Sequence, residues 1–152
     1  MSFLSRTFRT DAATAAPLIL RLALGAVFIG HGGQKLFGWW GGKGFESTAK
    51  YFEGNLDLEP GTVYAALAGG GEFFGGILLV LGLLTRFAAA QAAIIMAVAI
   101  WLAHRSAFFL QDNGMEFALV LMLIAVSLVL TGGGALSIDA HLAKPSTIAP
   151  KK

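Results

Sequence analysis

The chain has 152 residues, 56% of them hydrophobic and 13% charged, a formal net charge of +2 and no cysteine. Soluble domains carry about 25% charged residues, so this chain has too little charge to cover a water-facing surface; with a mean hydropathy of +0.71 it reads as an integral membrane protein. Its few, dispersed cations give nucleic-acid binding nothing to rest on, and without cysteine the chain carries no dithiol exchange, cysteine-ligated iron–sulfur cluster or c-type haem attachment of its own.

Segment 1–16 holds Arg6 and Arg9 and resembles the start of a signal peptide, but no small-residue cleavage site follows the apolar run, so it leads into a retained first helix. That helix is predicted from Pro17 to Gly38, with Pro17 at an initiating position. In "FESTAKYFEGNL", Phe45, Thr48, Ala49, Phe52 and Leu56 recur at helical spacing and Glu46 and Lys50 form an i,i+4 pair. This predicts a short amphipathic outer-loop helix, lying on the membrane or capping the bundle. Further spans are predicted from Thr62 to Leu84, Phe87 to His104 and Met115 to Gly132, the last stopped by Gly132, Gly133 and Gly134. The expectation is an all-α, integral membrane four-helix bundle occupying residues 17–143, followed by a basic tail, 144–152.

Flanking cations set the orientation. Arg6, Arg9, Arg86, Lys144, Lys151 and Lys152 fall on one side; Lys43, Lys50 and Arg105 fall on the other, with Lys35 near its edge. Both termini are therefore expected in the cytoplasm, and Trp39, Trp40 and Trp101 form an aromatic belt at the outer face.

Glu72 interrupts the second span. Positions three and four residues away share its face, and these are Ala68, Gly69, Gly75 and Gly76. Another helix can approach such a small-residue face closely. Glu72 lies about 15 Å from the start of the span, near the middle of a hydrocarbon layer about 30 Å thick, where an acid needs a partner or a proton. At about 100° per residue, Gly25, Gly32, Lys35 and His31 of the first span fall within about 80° of Arg21, and Gln34 lies about 60° further round. His31 and Lys35 are candidates to meet Glu72. Gln91 lies at a depth similar to Arg21, and His104, Arg105, Asp112 and Glu116 ring the outer rim of a polar cavity.

Each residue also has a plainer reading. Arg21 and Lys35 reach toward headgroups from helix ends, His31 packs in the core, His104 and Glu116 are interfacial, and Glu72 clasps two helices. His31 and His104 differ in depth, which argues against a shared haem. His141 lies outside the spans. No metal-ligating set is apparent.

The stretches "LRLALGAVFIGHGGQKLFG", "GGGEFFGGILLVLGLLTRFAA" and "GGGALSIDAHL" resemble the DoxX family of small bacterial membrane proteins, over roughly Leu18 to His141. The resemblance implies a four-helix protein of the bacterial cytoplasmic (inner) membrane. Its relatives include the DoxD subunit of a thiosulfate–quinone oxidoreductase and members linked to quinone or thiol stress, some in complexes with other redox proteins.

The leading expectation is a subunit of a quinone-linked oxidoreductase. Glu72 and His31 would be catalytic, with Arg21, Gln34, Lys35, Gly25, Gly32, Gly69, Gly75, Gly76, Gln91, Trp101 and His104 around the substrate; the glycine faces leave room for a flat ring. Quinone is the expected ligand, and the lipid bilayer, a redox subunit and a second copy of the chain are the expected partners. A non-catalytic anchor or assembly subunit is the alternative, and a small-solute or proton carrier a third; four spans without an inverted repeat disfavour the carrier.

Overall fold

The computed structural model describes residues 15–143, and every described element of regular structure is helical. The cations Arg6, Arg9, Lys144, Lys151 and Lys152, on which most of the orientation argument rests, lie outside the described residues, as do segment 1–14 and the basic tail 144–152.

Helix α1 runs from Ala16 to Phe37, with Pro17 in its first turn, and stops where Gly38 adopts a left-handed φ of 72°. After a 3-10 turn at Trp39–Gly41 comes the amphipathic helix α2, Gly44–Leu56. Helix α3 covers Gly61–Leu81 and α4 Thr85–Ala99; the predicted second span, drawn to Leu84, ends three residues sooner, at Gly82 with φ 66°, and the third starts two residues earlier than predicted. Helix α4 then continues through a π-helical turn, Ile100–His104. Helix α5 is Glu116–Thr131, and α6 is the short Ile138–Leu142.

Three of these segments are long and apolar enough to cross a bilayer: Ala16–Phe37, Gly61–Leu81 and Thr85–His104. Helix α5 is as apolar, but its 16 residues make it shorter. The result is an all-α, multi-pass membrane fold.

Around the bundle α1 packs on α3, α3 on α4, α4 on α5, and α5 back on α1, with the α1–α3 pairing the most extensive. A glycine seam explains that intimacy. A Cβ on Gly25 would meet the Gly76 carbonyl oxygen at 2.8 Å, one on Gly32 would collide with the Phe73 backbone, and one on Gly69 would meet the Leu36 side chain at 2.9 Å. The partners descend along α3 as the positions ascend along α1, so the two helices are antiparallel. Without a hydrophobic drive between helices in lipid, such close backbone contact is what holds the pair. The buried core is small-residue rich as well: Ala88, Ala89, Ala92 and Ala125 pack with Leu24, Phe28, Leu79 and Leu128.

Helix α2 is held over the C-terminal end of α1 and the N-terminal end of α3. The Gly61 N–H donates to Glu53 Oε1 at 2.8 Å, which satisfies one of the open donors at the start of α3. Thr48 Oγ1 donates to the Lys35 carbonyl at 3.3 Å, and Ala49 is buried beneath. The surface pair expected from spacing forms: Lys50 Nζ lies 3.0 Å from Glu46 Oε1.

Candidate functional site

Two clusters of polar side chains lie inside the helices, one at each end of α1. At the end where α1 meets α2, Lys35 Nζ lies 2.5 Å from Glu72 Oε2. The glycines that flank Glu72 let α1 come close enough for this contact, and the side chain of Glu72 is only 5% exposed whereas that of Lys35 is 28% exposed. Burying two charges costs several kcal/mol per ion, which direct pairing offsets. The sequence expectation that Glu72 turns inward to meet a cation from the first span agrees with this geometry.

The pair forms part of the wall of a cavity of about 220 Å³ between α1, α3, α4 and α5. His31 and His104 also line it; the rest of the wall is mostly apolar, with Val27, Phe28, Met96, Phe117 and Leu121 prominent. The π-helical turn carries His104 to the wall. Its Nδ1 lies 2.9 Å from the Asn113 carbonyl oxygen. A carbonyl only accepts, so Nδ1 carries hydrogen, and in the neutral ring Nε2 is left as an acceptor. Glu116 does not reach the cavity: its Oε1 accepts from the Leu110 N–H at 2.7 Å and ties down the loop before α5. Lys35 also borders a second, polar recess beneath α2, shared with Gln34, Lys43, Thr48 and Tyr51. It therefore stands between the cavity and that recess.

At the opposite end, Arg21 is completely buried. Its Nη1 donates to the carbonyls of Leu79 and Val80 at 3.2 Å each, and its Nη2 to that of Leu136 at 2.7 Å. Arg21 thus satisfies open carbonyls at the end of α3 and joins them to the segment before α6, a role favoured for a cation at a helix C-terminus. Asp139 completes the clasp by accepting from the backbone N–H groups of Leu84 and Thr85 at 2.8 Å each, at the start of α4. Burial opposes ionisation of Asp139, but hydrogen bonds from Thr85 and Leu84, with the charge of Arg21, hold its carboxyl below the usual aspartate range. Gly82 is obligatory here, since a side chain at that position would collide with Arg21.

The structure therefore divides the predicted residues. Glu72, Lys35, His31 and His104 come together around the cavity. Arg21 does not join them, because its guanidinium points to the far clasp. Gly25, Gly32, Gly69 and Gly76 make room for a neighbouring helix, the close approach expected of a small-residue face. Gly75 faces Gln91, whose side chain lies between α3 and α4 against Gly71 and Gly75 and away from the cavity wall. Gln34 lines the outer recess, and Trp101 faces outward, 67% exposed, with the Arg105 guanidinium 5.1 Å from its ring. Sequence reasoning missed Phe117, whose ring sits 6.3 Å from that of His31, as well as the capping roles of Glu53 and Asp139. Asp139 lay inside the "GGGALSIDAHL" stretch, which was the one available signal. Among the described residues no group of His, Asp or Glu is arranged to hold a metal ion.

Comparison with known proteins places this architecture. The DoxX family profile matches residues 16–105, and that of the "TQO small subunit DoxD" matches residues 61–151. A Haemophilus influenzae protein of uncharacterised function is 32% identical over 128 residues, 84% of this chain and 83% of its own length. The Bacillus subtilis protein named "Putative oxidoreductase CatD" is 32% identical over 127 residues, 84% of this chain and 87% of its own. A second uncharacterised H. influenzae protein is 33% identical over 129 residues, 79% and 85% of the respective chains. No solved structure matches the chain significantly.

Proposed function

The chain belongs to the DoxX/DoxD family of small membrane proteins, and on that premise we propose that it is a quinone-binding subunit of a membrane oxidoreductase, with α5 completing a fourth crossing and both termini in the cytoplasm. The observation that carries this reading is the cavity itself: a mostly apolar pocket into which a few polar groups converge, Lys35, Glu72 and His31 on one side and His104 on another. Reduction of a quinone takes two electrons and two protons and builds negative charge on its carbonyl oxygens. The Lys35 ammonium is placed to stabilise such an oxyanion. Glu72 and His31 pass protons to it, and the outer polar recess that also borders Lys35 resupplies them. The electrons come from a partner subunit. A volume of about 220 Å³ suits a single ring.

The test is purification in native lipid, alone and with its co-purifying partner, followed by quinone binding and turnover. Glu72→Gln is expected to abolish turnover while the protein remains inserted. A wild-type preparation that neither binds nor reduces quinones removes this reading.

A second reading has its own observation. The Lys35–Glu72 contact also ties α1 to α3, as a non-catalytic anchor or assembly subunit needs. In that case Glu72→Gln lowers thermal stability or assembly, and replacing Lys35 and Glu72 together by apolar residues restores it.

A further inference from the structure

One flank of the cavity is loosely packed. Of the neighbour contacts around the bundle, α1 against α5 is the slightest. His31 and Phe117 stand in this gap, their ring centroids 6.3 Å apart, and both are exposed although they line the cavity. Outside the gap a shallow furrow of about 250 Å³ runs along α1. Val27, His31 and Phe117 line both the cavity and the furrow, so only these side chains separate the two. Ala26, Gly30 and Trp40 carry the furrow onward toward Leu22 and Val80. It exists because two small residues, Ala26 and Gly30, lie one turn apart on α1, and a Cβ on Gly30 meets no atom within 4 Å.

The chemistry changes along this path. The inner end holds a cation, a carboxylate and two imidazoles; the outer end is almost wholly aliphatic and aromatic, on the flank of a helix long and apolar enough to cross a bilayer. A ligand from water has no use for a furrow on that flank. A membrane amphiphile does. Its tail gains no hydrophobic free energy by leaving lipid for protein, so the furrow determines route and steric fit, and the polar inner groups determine retention.

We propose that the gap between α1 and α5 is a lateral portal, and that the cavity takes a membrane amphiphile whose flat polar head passes His31 and Phe117 while its hydrocarbon tail stays in the furrow over Gly30 and Ala26. This rests on the quinone reading for the nature of the head and adds the tail and the way in.

The test uses the full chain in lipid nanodiscs and two benzoquinones with the same ring, one bearing a decyl tail and one a methyl group in its place. Affinities are measured for wild type, Gly30→Phe and, as a control on a distant exposed face of α4, Ile94→Phe. Comparing each ligand between variants cancels its partitioning into lipid. Gly30→Phe is expected to reduce the tailed-to-tailless affinity ratio about tenfold by filling the furrow, and Ile94→Phe to leave the ratio unchanged. Equal loss of both ligands, or loss of neither, overturns the portal while leaving the quinone reading intact. Wild type that binds neither ligand overturns both. A photoreactive group at the end of the decyl tail provides a measurement independent of substitution: labelling near Ala26 or Trp40 is expected, and labelling confined to α4 overturns the proposal.

Discussion

Arg21 and Lys35 sit on the same helix, both directed into the bundle, and the structure treats them in opposite ways. Arg21 is sealed from solvent and spends its hydrogen bonds on the carbonyls of Leu79, Val80 and Leu136. Lys35 meets one carboxylate and borders open volume on both sides, the inner cavity and the outer recess. An intramembrane charge suggests function by default. The comparison refines that rule: a cation committed to backbone carbonyls holds the fold together, whereas one paired beside a cavity retains access to a ligand.

Substitutions at the two sites should therefore fail differently. The largest effect expected is on chemistry: Glu72→Gln reduces quinone turnover per folded, inserted molecule by about 10²–10⁴-fold, the range for loss of a proton-transfer group, beyond whatever stability the lost ion pair costs. If turnover survives while the melting temperature falls, the Lys35–Glu72 site is a clasp like the other one and the contrast collapses. Next comes Arg21→Met, which leaves the carbonyls of Leu79, Val80 and Leu136 without their donor; it should cost about 1–3 kcal/mol of stability, seen as a drop in thermal midpoint in detergent, with quinone affinity unchanged in the fraction that remains folded. Gly32→Ala and Gly76→Ala force backbone apart along the α1–α3 seam and should each cost about 1–3 kcal/mol. Because that seam brings Lys35 to Glu72, they should also weaken quinone binding, which Arg21→Met should not.

The smallest effect concerns Asp139. Its carboxyl is held below its ordinary value, so its contribution to stability is fully present above about pH 3.9 and is lost as the pH falls through the lowered folded-state value. Asp139→Asn should cost about 1 kcal/mol at neutral pH, as loss of a helix cap does, and should remove this component of acid destabilisation. Thermal melts of the two proteins between pH 6 and pH 3 check it; parallel pH curves would mean that Asp139 has no special hold on α4.

Hydropathy made α1, α3 and α4 legible to within a few residues, because the membrane demands long apolar runs whatever their packing. The inward turn of Glu72 was legible for a related reason: a mid-span acid surrounded by Gly69, Gly75 and Gly76 has only a neighbouring helix to face. That Lys35 shares a face with Gly25 and Gly32 follows from the period alone. The job of Arg21 did not, since its partners are main-chain carbonyls far along the chain and any residues can supply those. The same applies to Asp139, which caps a helix beginning more than fifty positions earlier. The glycines around Glu72 were legible as a face for close helix approach, which the α1–α3 seam realises at Gly69 and Gly76; a missing side chain by itself accommodates a ring or a helix equally well. Phe117 had no periodic signal, as α5 is apolar on every side.

The π-helical turn at Ile100–His104 has one further consequence. Such a turn holds a residue more than an α-helical turn would, so it works as a local phase shift. Everything upstream, including Ala92 and Met96 in the core, keeps ordinary register, while the side chains after the bulge are rotated by about 100°. Removing a single residue there would leave the helical packing of α4 intact and swing the imidazole of His104 off the cavity wall. An insertion of one amino acid is thus enough to decide whether α4 contributes a ligand-facing group or only a packing surface.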